Sequence, residues 1–131
     1  MPLGSGDPAD PSAADALHVS SEVRGPCLLV EADGELTILT ADLLREHVLA
    51  DMRDAARPPL VVLDVGDVGF CDSSGLNALI ILWKAAHRAG GEFVLARLDR
   101  RFRTIIERSG LDRHLVSHPT AEQALDSLAA H

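Results

Sequence analysis

Residues 60 to 76 read Leu60-Val61-Val62-Leu63-Asp64-Val65-Gly66-Asp67-Val68-Gly69-Phe70-Cys71-Asp72-Ser73-Ser74-Gly75-Leu76. The first six form a near-continuous branched apolar run, the composition of a central strand covered on both faces by helices. Gly66 and Gly69 then mark a loop. Asp72-Ser73-Ser74-Gly75 opens a helix that runs to Ala89, where Gly90-Gly91 supplies a left-handed C-terminal cap.

Downstream, Glu92-Phe93-Val94-Leu95-Ala96 is a short strand, and Asp99 caps a helix that continues through Ser109 and stops at Gly110. Leu115-Val116 reads as a short edge strand, and Thr120 with Gln123 three residues on forms a capping box for the last helix. Upstream, Thr40 reads as an N-cap. Leu43, Leu44, His47, Val48 and Met52 follow at helical spacing, a helix of about four turns that Pro58-Pro59 ends. Before it, Leu17, Val19 and Val23 alternate, Arg24-Gly25-Pro26 is a turn, and Cys27-Leu28-Leu29-Val30 is apolar, which together make an opening hairpin. The order β-β-α-β-α-β-α-β-α predicts an α/β fold. Its sheet is mixed and mostly parallel, with an N-terminal antiparallel hairpin and about four helices.

The chain has 131 residues, 47% hydrophobic and 24% charged, enough for one compact domain with a real core. Residues 1 to 16 hold three prolines, two glycines, three aspartates and no basic residue, and they read as a disordered tail before a domain at 17–131. The net charge of −8 would repel phosphate backbones and anionic headgroups, so neither nucleic acid nor a membrane surface is an expected partner. The chain has no spanning run and no signal-peptide pattern, and it reads as cytoplasmic. Two cysteines, Cys27 and Cys71, make neither a disulfide scaffold nor a zinc site, and no metal or cofactor is expected. Parallel strands would hold the two thiols roughly 20 Å apart, too far for a bridge.

In open α/β sheets, sites form outside the carboxyl ends of the strands, so the segment 66–74 is the first place to look for function. Serines at a helix start ordinarily serve as N-caps, which is the bland reading of Ser73 and Ser74. The whole string Asp72-Ser73-Ser74-Gly75-Leu76 points further. So do Gly34-Glu35-Leu36, Gly90-Gly91-Glu92 and Ser109-Gly110-Leu111 at their places in the element order. With these motifs the chain resembles the STAS domain family, in particular its single-domain anti-sigma factor antagonists, across roughly residues 17 to 131. The resemblance implies that Ser73, directly after the aspartate, is phosphorylated by a partner anti-sigma factor of the serine kinase type. It implies further that the unmodified chain binds that anti-sigma factor and frees a sigma factor, that a phosphatase resets the switch, and that the chain itself is not an enzyme. Many family members carry an aspartate after Gly-Glu-Leu where this chain has Thr37, while Thr40-Ala41 keeps the pattern. Within the family the alternative is a non-switching adaptor or scaffold subunit, stressosome or transporter-associated.

A phosphoserine adds about −1.5 to −2 charges beside Asp72, with Asp67 in the same loop, while the helix N-terminus tolerates the anion. Desolvating that charge under a partner would cost ~3 to 4 kcal/mol, a loss of about 10²- to 10³-fold in affinity. A helical wheel from residue 73 to 89 puts Leu76, Leu79, Ile80, Trp83 and Ala86 on a core stripe. Asn77, Ala78, Ile81, Ala85 and Arg88 fall on a second stripe near Ser74. Ile81 flanked by Ala78 and Ala85 gives an apolar strip suited to a partner's helix or, equally, to a neighbouring helix of the same domain. The expected partner-binding residues are therefore Glu35, Thr37, Asp72, Ser73, Ser74, Gly75, Asn77, Ala78 and Ile81.

The rival class is a hydrolase, because a serine on a strand-to-helix turn resembles the G-x-S-x-G elbow. Position 71 is Cys where the elbow needs Gly, and no histidine is assignable as base. Arg97, Arg100, Arg101, Arg103 and Arg108 read as a solvated face, with an acidic partner as the lesser alternative. His114 and His118 read as surface or turn histidines.

Overall fold

In the computed structural model, which describes residues 16–130, five strands form one sheet in the order β1-β2-β3-β4-β5. The strands are β1 (Leu17–Arg24), β2 (Cys27–Leu36), β3 (Leu60–Cys71), β4 (Glu92–Ala96) and β5 (Ser117–His118). Between and after them lie α1 (Ala41–Asp54), α2 (Ser73–Arg88), α3 (Arg100–Ser109), a 3₁₀ turn (Leu111–Arg113) and α4 (Ala121–Ala129). β1 pairs antiparallel with β2 across the turn at Gly25-Pro26, and every later pairing is parallel. The expected α/β architecture with its opening hairpin is the observed one. The tail expected at residues 1 to 16 lies, but for Ala16, outside the described residues.

Alternating side chains of the central strands feed two cores. Val61, Leu63, Phe93 and Leu95 join Leu44 and Val48 of α1, Leu79, Leu82 and Ala86 of α2, and Phe102 and Ile106 of α3. On the other face, Leu29, Val62 and Val94 meet Ala124, Leu125 and Leu128 of α4. Each fully buried leucine stabilises the fold by about 1.5–3 kcal/mol through removal of apolar surface from water.

Several boundaries move. β3 does not end at Val65 but runs to Cys71, so the expected loop after Gly66 is strand. Register shifts against β2, between Glu31 and Asp33 and between Gly34 and Glu35, break the alternation; Val65 and Val68, three residues apart, are both buried. The Gly34-Glu35-Leu36 motif lies within β2 rather than after it. Gly34 has φ +133°, and a Cβ there would sit 2.1 Å from the carbonyl oxygen of Ala16, so only glycine lets β1 begin across from it. β5 is Ser117–His118, two residues later than expected, because Leu115 is buried in the main core instead of pairing. Cys27 and Cys71 are both free. The longer β3 puts them at opposite ends of the sheet, roughly 30 Å apart rather than 20 Å, at ~3.3 Å per residue.

Candidate functional site

The carboxyl ends of β2 and β3 lie side by side, with Leu36 opposite Cys71, and α2 begins one residue beyond. Asp72, extended at φ −102° and ψ −174°, is the N-cap of α2; its Oδ1 accepts the Gly75 N–H at 3.0 Å. This overturns the reading of Ser73 or Ser74 as the cap. With Asp72 in that role, Ser73 is exposed on the first turn and its hydroxyl is not needed to close the helix. The other carboxylate oxygen of Asp72 accepts the backbone N–H of Ile38 at 3.1 Å, and the Asp72 N–H donates to the Leu36 carbonyl at 3.1 Å. One side chain thus joins the start of α2 to the connection between β2 and α1.

That connection is closed by its own hydrogen bonds. Thr40 is fully buried; its Oγ1 donates to the Glu35 carbonyl at 2.7 Å and accepts the Thr37 N–H at 2.9 Å. It makes no capping bond to α1, so the expected N-cap role is replaced by a loop clasp. Thr37 accepts the Leu39 N–H on its hydroxyl at 3.2 Å. Ile38 and Leu39 project into solvent, each 73% exposed, and Leu43 and Phe70 are large apolar residues that are also exposed. None of these four stood out in the sequence as a surface feature. The available signal was an aliphatic pair in a turn that neither the strand nor the helix period uses.

Of the expected contact residues, Glu35, Ser73 and Asn77 are exposed, while Thr37, Asp72, Ser74 and Ile81 are partly so. Gly75 and Ala78 are buried, which removes both from any contact surface. Gly75 serves packing: a Cβ there would lie 2.6 Å from the Leu36 carbonyl oxygen and 2.8 Å from Cys71 Sγ, so glycine lets α2 start close against the strand ends. Ala78 is only 1% exposed, and the apolar strip reduces to Ile81 and Ala85. The inner face of α2 is Ala78, Leu79, Leu82 and Ala86, with Leu76, Ile80 and Trp83 flanking it. Trp83 is partly buried rather than core, stacked against His114 at 4.7 Å between ring centroids and tilted against His87 at 4.2 Å.

Electrostatics at the site also differ from the sequence expectation. Asp67 is on β3, not in a loop with Ser73, and its carboxylate faces the Arg97 guanidinium at 3.5 Å. Arg97 is exposed, as a solvated face would have it, but it is also anchored to a buried carboxylate. Its Nε donates to Asp64, buried to 4% exposure, at 2.8 Å, and the Gly66 N–H donates to the same carboxylate at 2.9 Å. That hydrogen bond, with the nearby carboxylates, raises the Arg97 pKa further. Burial first, and then the Asp72 charge, push the Cys71 thiol up to about 12, so it is held as an unreactive thiol beneath the site. A cavity of about 570 Å³, lined by Val23, Cys27, Met52 and Pro59 among others, lies at the opposite end of the sheet from Ser73.

Comparison with known proteins fits this geometry. A curated relative, the anti-sigma F factor antagonist of Paenibacillus polymyxa, is 25% identical over 112 residues, covering 86% of this chain and 95% of that protein. The crystal structure of an anti-sigma factor antagonist from Mycobacterium paratuberculosis superposes with a TM-score of 0.78 at 27% identity, covering 90% of this chain and 98% of that one. The Bacillus cell fate determinant SpoIIAA, solved in its phosphorylated form, shares the fold at a TM-score of 0.65 and 20% identity, over 84% of this chain and 98% of its own. No described helix is long and apolar enough to cross a membrane. The model of the STAS domain matches residues 18–124, nearly the whole of the sheet and helices described above, and the chain belongs to the STAS domain family.

Proposed function

We propose that this chain is an anti-sigma factor antagonist whose unmodified form binds an anti-sigma factor of the serine kinase type and thereby releases a sigma factor. Phosphorylation of Ser73 ends the binding, and a phosphatase restores it. The observation that carries this reading is the division of labour at the start of α2: Asp72 caps the helix, which leaves the Ser73 hydroxyl exposed and free for transfer. The relative named as an anti-sigma F factor antagonist supports the class of partner, and the phosphorylated SpoIIAA structure supports a covalent switch on this fold.

The charge argument has one carboxylate fewer than the sequence suggested, because Asp67 is engaged by Arg97. Asp72 remains next to Ser73, and the N-terminus of α2 accommodates a phosphate without loss of fold. A partner packed over Ser73 would have to desolvate that dianion beside Asp72, which is unfavourable by several kcal/mol. The reading therefore separates folding from binding.

The test is a pull-down from host lysate with wild-type, Ser73→Ala and Ser73→Asp baits, followed by mass spectrometry and by thermal melts of each bait. Both variants should melt within about 2 °C of wild type, since an exposed substitution changes stability by ±0.5 kcal/mol or less. A small ATP-binding kinase should be retained by wild type and Ser73→Ala and lost by Ser73→Asp. Retention that ignores residue 73 would replace the switch by a constitutive adaptor.

A further inference from the structure

At the end of the sheet remote from Ser73, the cleft of about 570 Å³ has no part in the switch, and its size falls within the ~300–1,000 Å³ of small-molecule sites. It lies between the β1–β2 turn, the first residues of β2 and β3, and the last turn of α1 with the connection that follows. Val23, Leu28, Met52, Pro58 and Pro59 give it an apolar lining. Val23 is 77% exposed, more than any other large apolar side chain among the described residues, whereas Leu17 and Val19, which alternate with it along β1, pack into the main core. The walls are held in place from within the fold. Two prolines restrict the connection, and the Pro59 carbonyl accepts the Glu92 N–H at 2.8 Å, which ties it to the start of β4. A preformed apolar cleft keeps the ordering cost of binding low.

The mouth of the cleft carries charge of predominantly one sign. Asp51 and Asp54 stand on the last turn of α1, at the negative end of the helix dipole, and Arg57 is the single cation among the lining residues. Asp51 is already engaged: it accepts the Ser21 hydroxyl at 2.5 Å and lies 3.5 Å from His47 Nε2. Asp54 and Arg57 are exposed and take part in no ion pair among the described residues.

We propose that this cleft binds a small amphipathic amine, its apolar body against Val23, Leu28 and Met52 and its ammonium group at Asp54 and the end of α1. An anionic head group would meet two carboxylates and the helix dipole with only Arg57 to offset them. The inference stands apart from the phospho-switch, since neither Asp72 nor Ser73 lines the cleft.

The test titrates the isotope-labelled full chain with three probes that share one ring system and differ in charge, naphthylmethylamine, naphthalenemethanol and naphthaleneacetate, and follows the amide NMR shifts. The amine should shift the amides of Val23, Cys27, Met52 and Ala55 together with a Kd of about 1 mM or tighter, the alcohol should bind about tenfold more weakly, and the acetate more weakly still. Val23→Arg should lower the affinity for the amine about tenfold at an unchanged melting temperature, because the side chain is exposed. Asp54→Asn should bring the amine to the level of the alcohol and leave the alcohol's affinity as it was, the readout that separates a charge contact from lost shape. Shifts that are absent at about 10 mM amine, or confined to residues outside the cleft, would overturn the site. Tighter binding of the acetate would overturn the ligand class and move the head group to Arg57. Self-association of the free chain in sedimentation, abolished by Val23→Arg, would put a second copy in the cleft and overturn the small-molecule assignment.

Discussion

Thr40 uses its one hydroxyl in both directions, as donor to the Glu35 carbonyl and acceptor from the Thr37 N–H, with no access to water. Thr40→Val keeps the shape and removes both bonds, leaving two backbone groups unpaired in a closed turn. The expected cost is about 1–3 kcal/mol in urea unfolding, with Thr40→Ser recovering most of it. Equal stability of the valine variant would show that water replaces the clasp. In the sequence, Thr40 before an amphipathic run looked like an N-cap, because capping and loop-clasping threonines have the same neighbours and differ only in where the backbone sends the hydroxyl. The same ambiguity covered residues 72 to 74, three capping residues in a row; the extended backbone of Asp72 selects it and frees Ser73.

At the level of elements, β3 was legible where both its faces are buried and illegible where bulges and glycines break the period, from Gly66 onward. α2 was legible as a helix and its inner face in part: Leu79 and Ala86 are buried and Leu76, Ile80 and Trp83 pack against the core, but Ala78 and Leu82 were missed, since apolar residues from Leu76 to Trp83 surround the helix on most sides and the neighbouring α1 and sheet choose the rotation. The connection after β4 carries a feature that no periodicity reveals. Arg97 has φ 62°, a left-handed conformation that non-glycine residues rarely adopt, and it reaches back to Asp64 from there. Arg97→Ala and Arg97→Gly both remove the partner of a buried carboxylate. Because the Arg97 side chain is 42% exposed, the loss is screened to about 1–3 kcal/mol. The glycine variant should be the more stable of the two by up to about 1 kcal/mol in denaturant titration, since it also relieves the positive φ. The opposite ranking would show that the conformation at residue 97 is unstrained.

Across the whole molecule, the buried thiol of Cys71 couples stability to pH. The folded chain holds this proton up to about 12, whereas the unfolded chain releases it near 9.0. The stabilisation is therefore complete below pH 9 and is lost as pH rises toward 12, at about 1.4 kcal/mol per unit and roughly 4 kcal/mol in all. Urea midpoints measured from pH 8 to 11 should fall for wild type and fall less steeply for Cys71→Ala; parallel slopes would remove Cys71 as the cause. The amino-acid sequence by itself determined the fold class, the element order and the mixed sheet with its hairpin, because periodicity, caps and turn residues are local signals, and it carried the string at 72–76 on which the resemblance to the family rests. Tertiary structure alone decided that Asp72 and not a serine caps α2, that Asp67 and Arg97 pair away from Ser73, that Ala78 is core, and that Ile38 and Leu39 face water. Each of these depends on which distant backbone or charge comes within about 3 Å of a side chain, and residues 34, 33 or 30 positions apart in the chain meet only when the sheet brings their strands together.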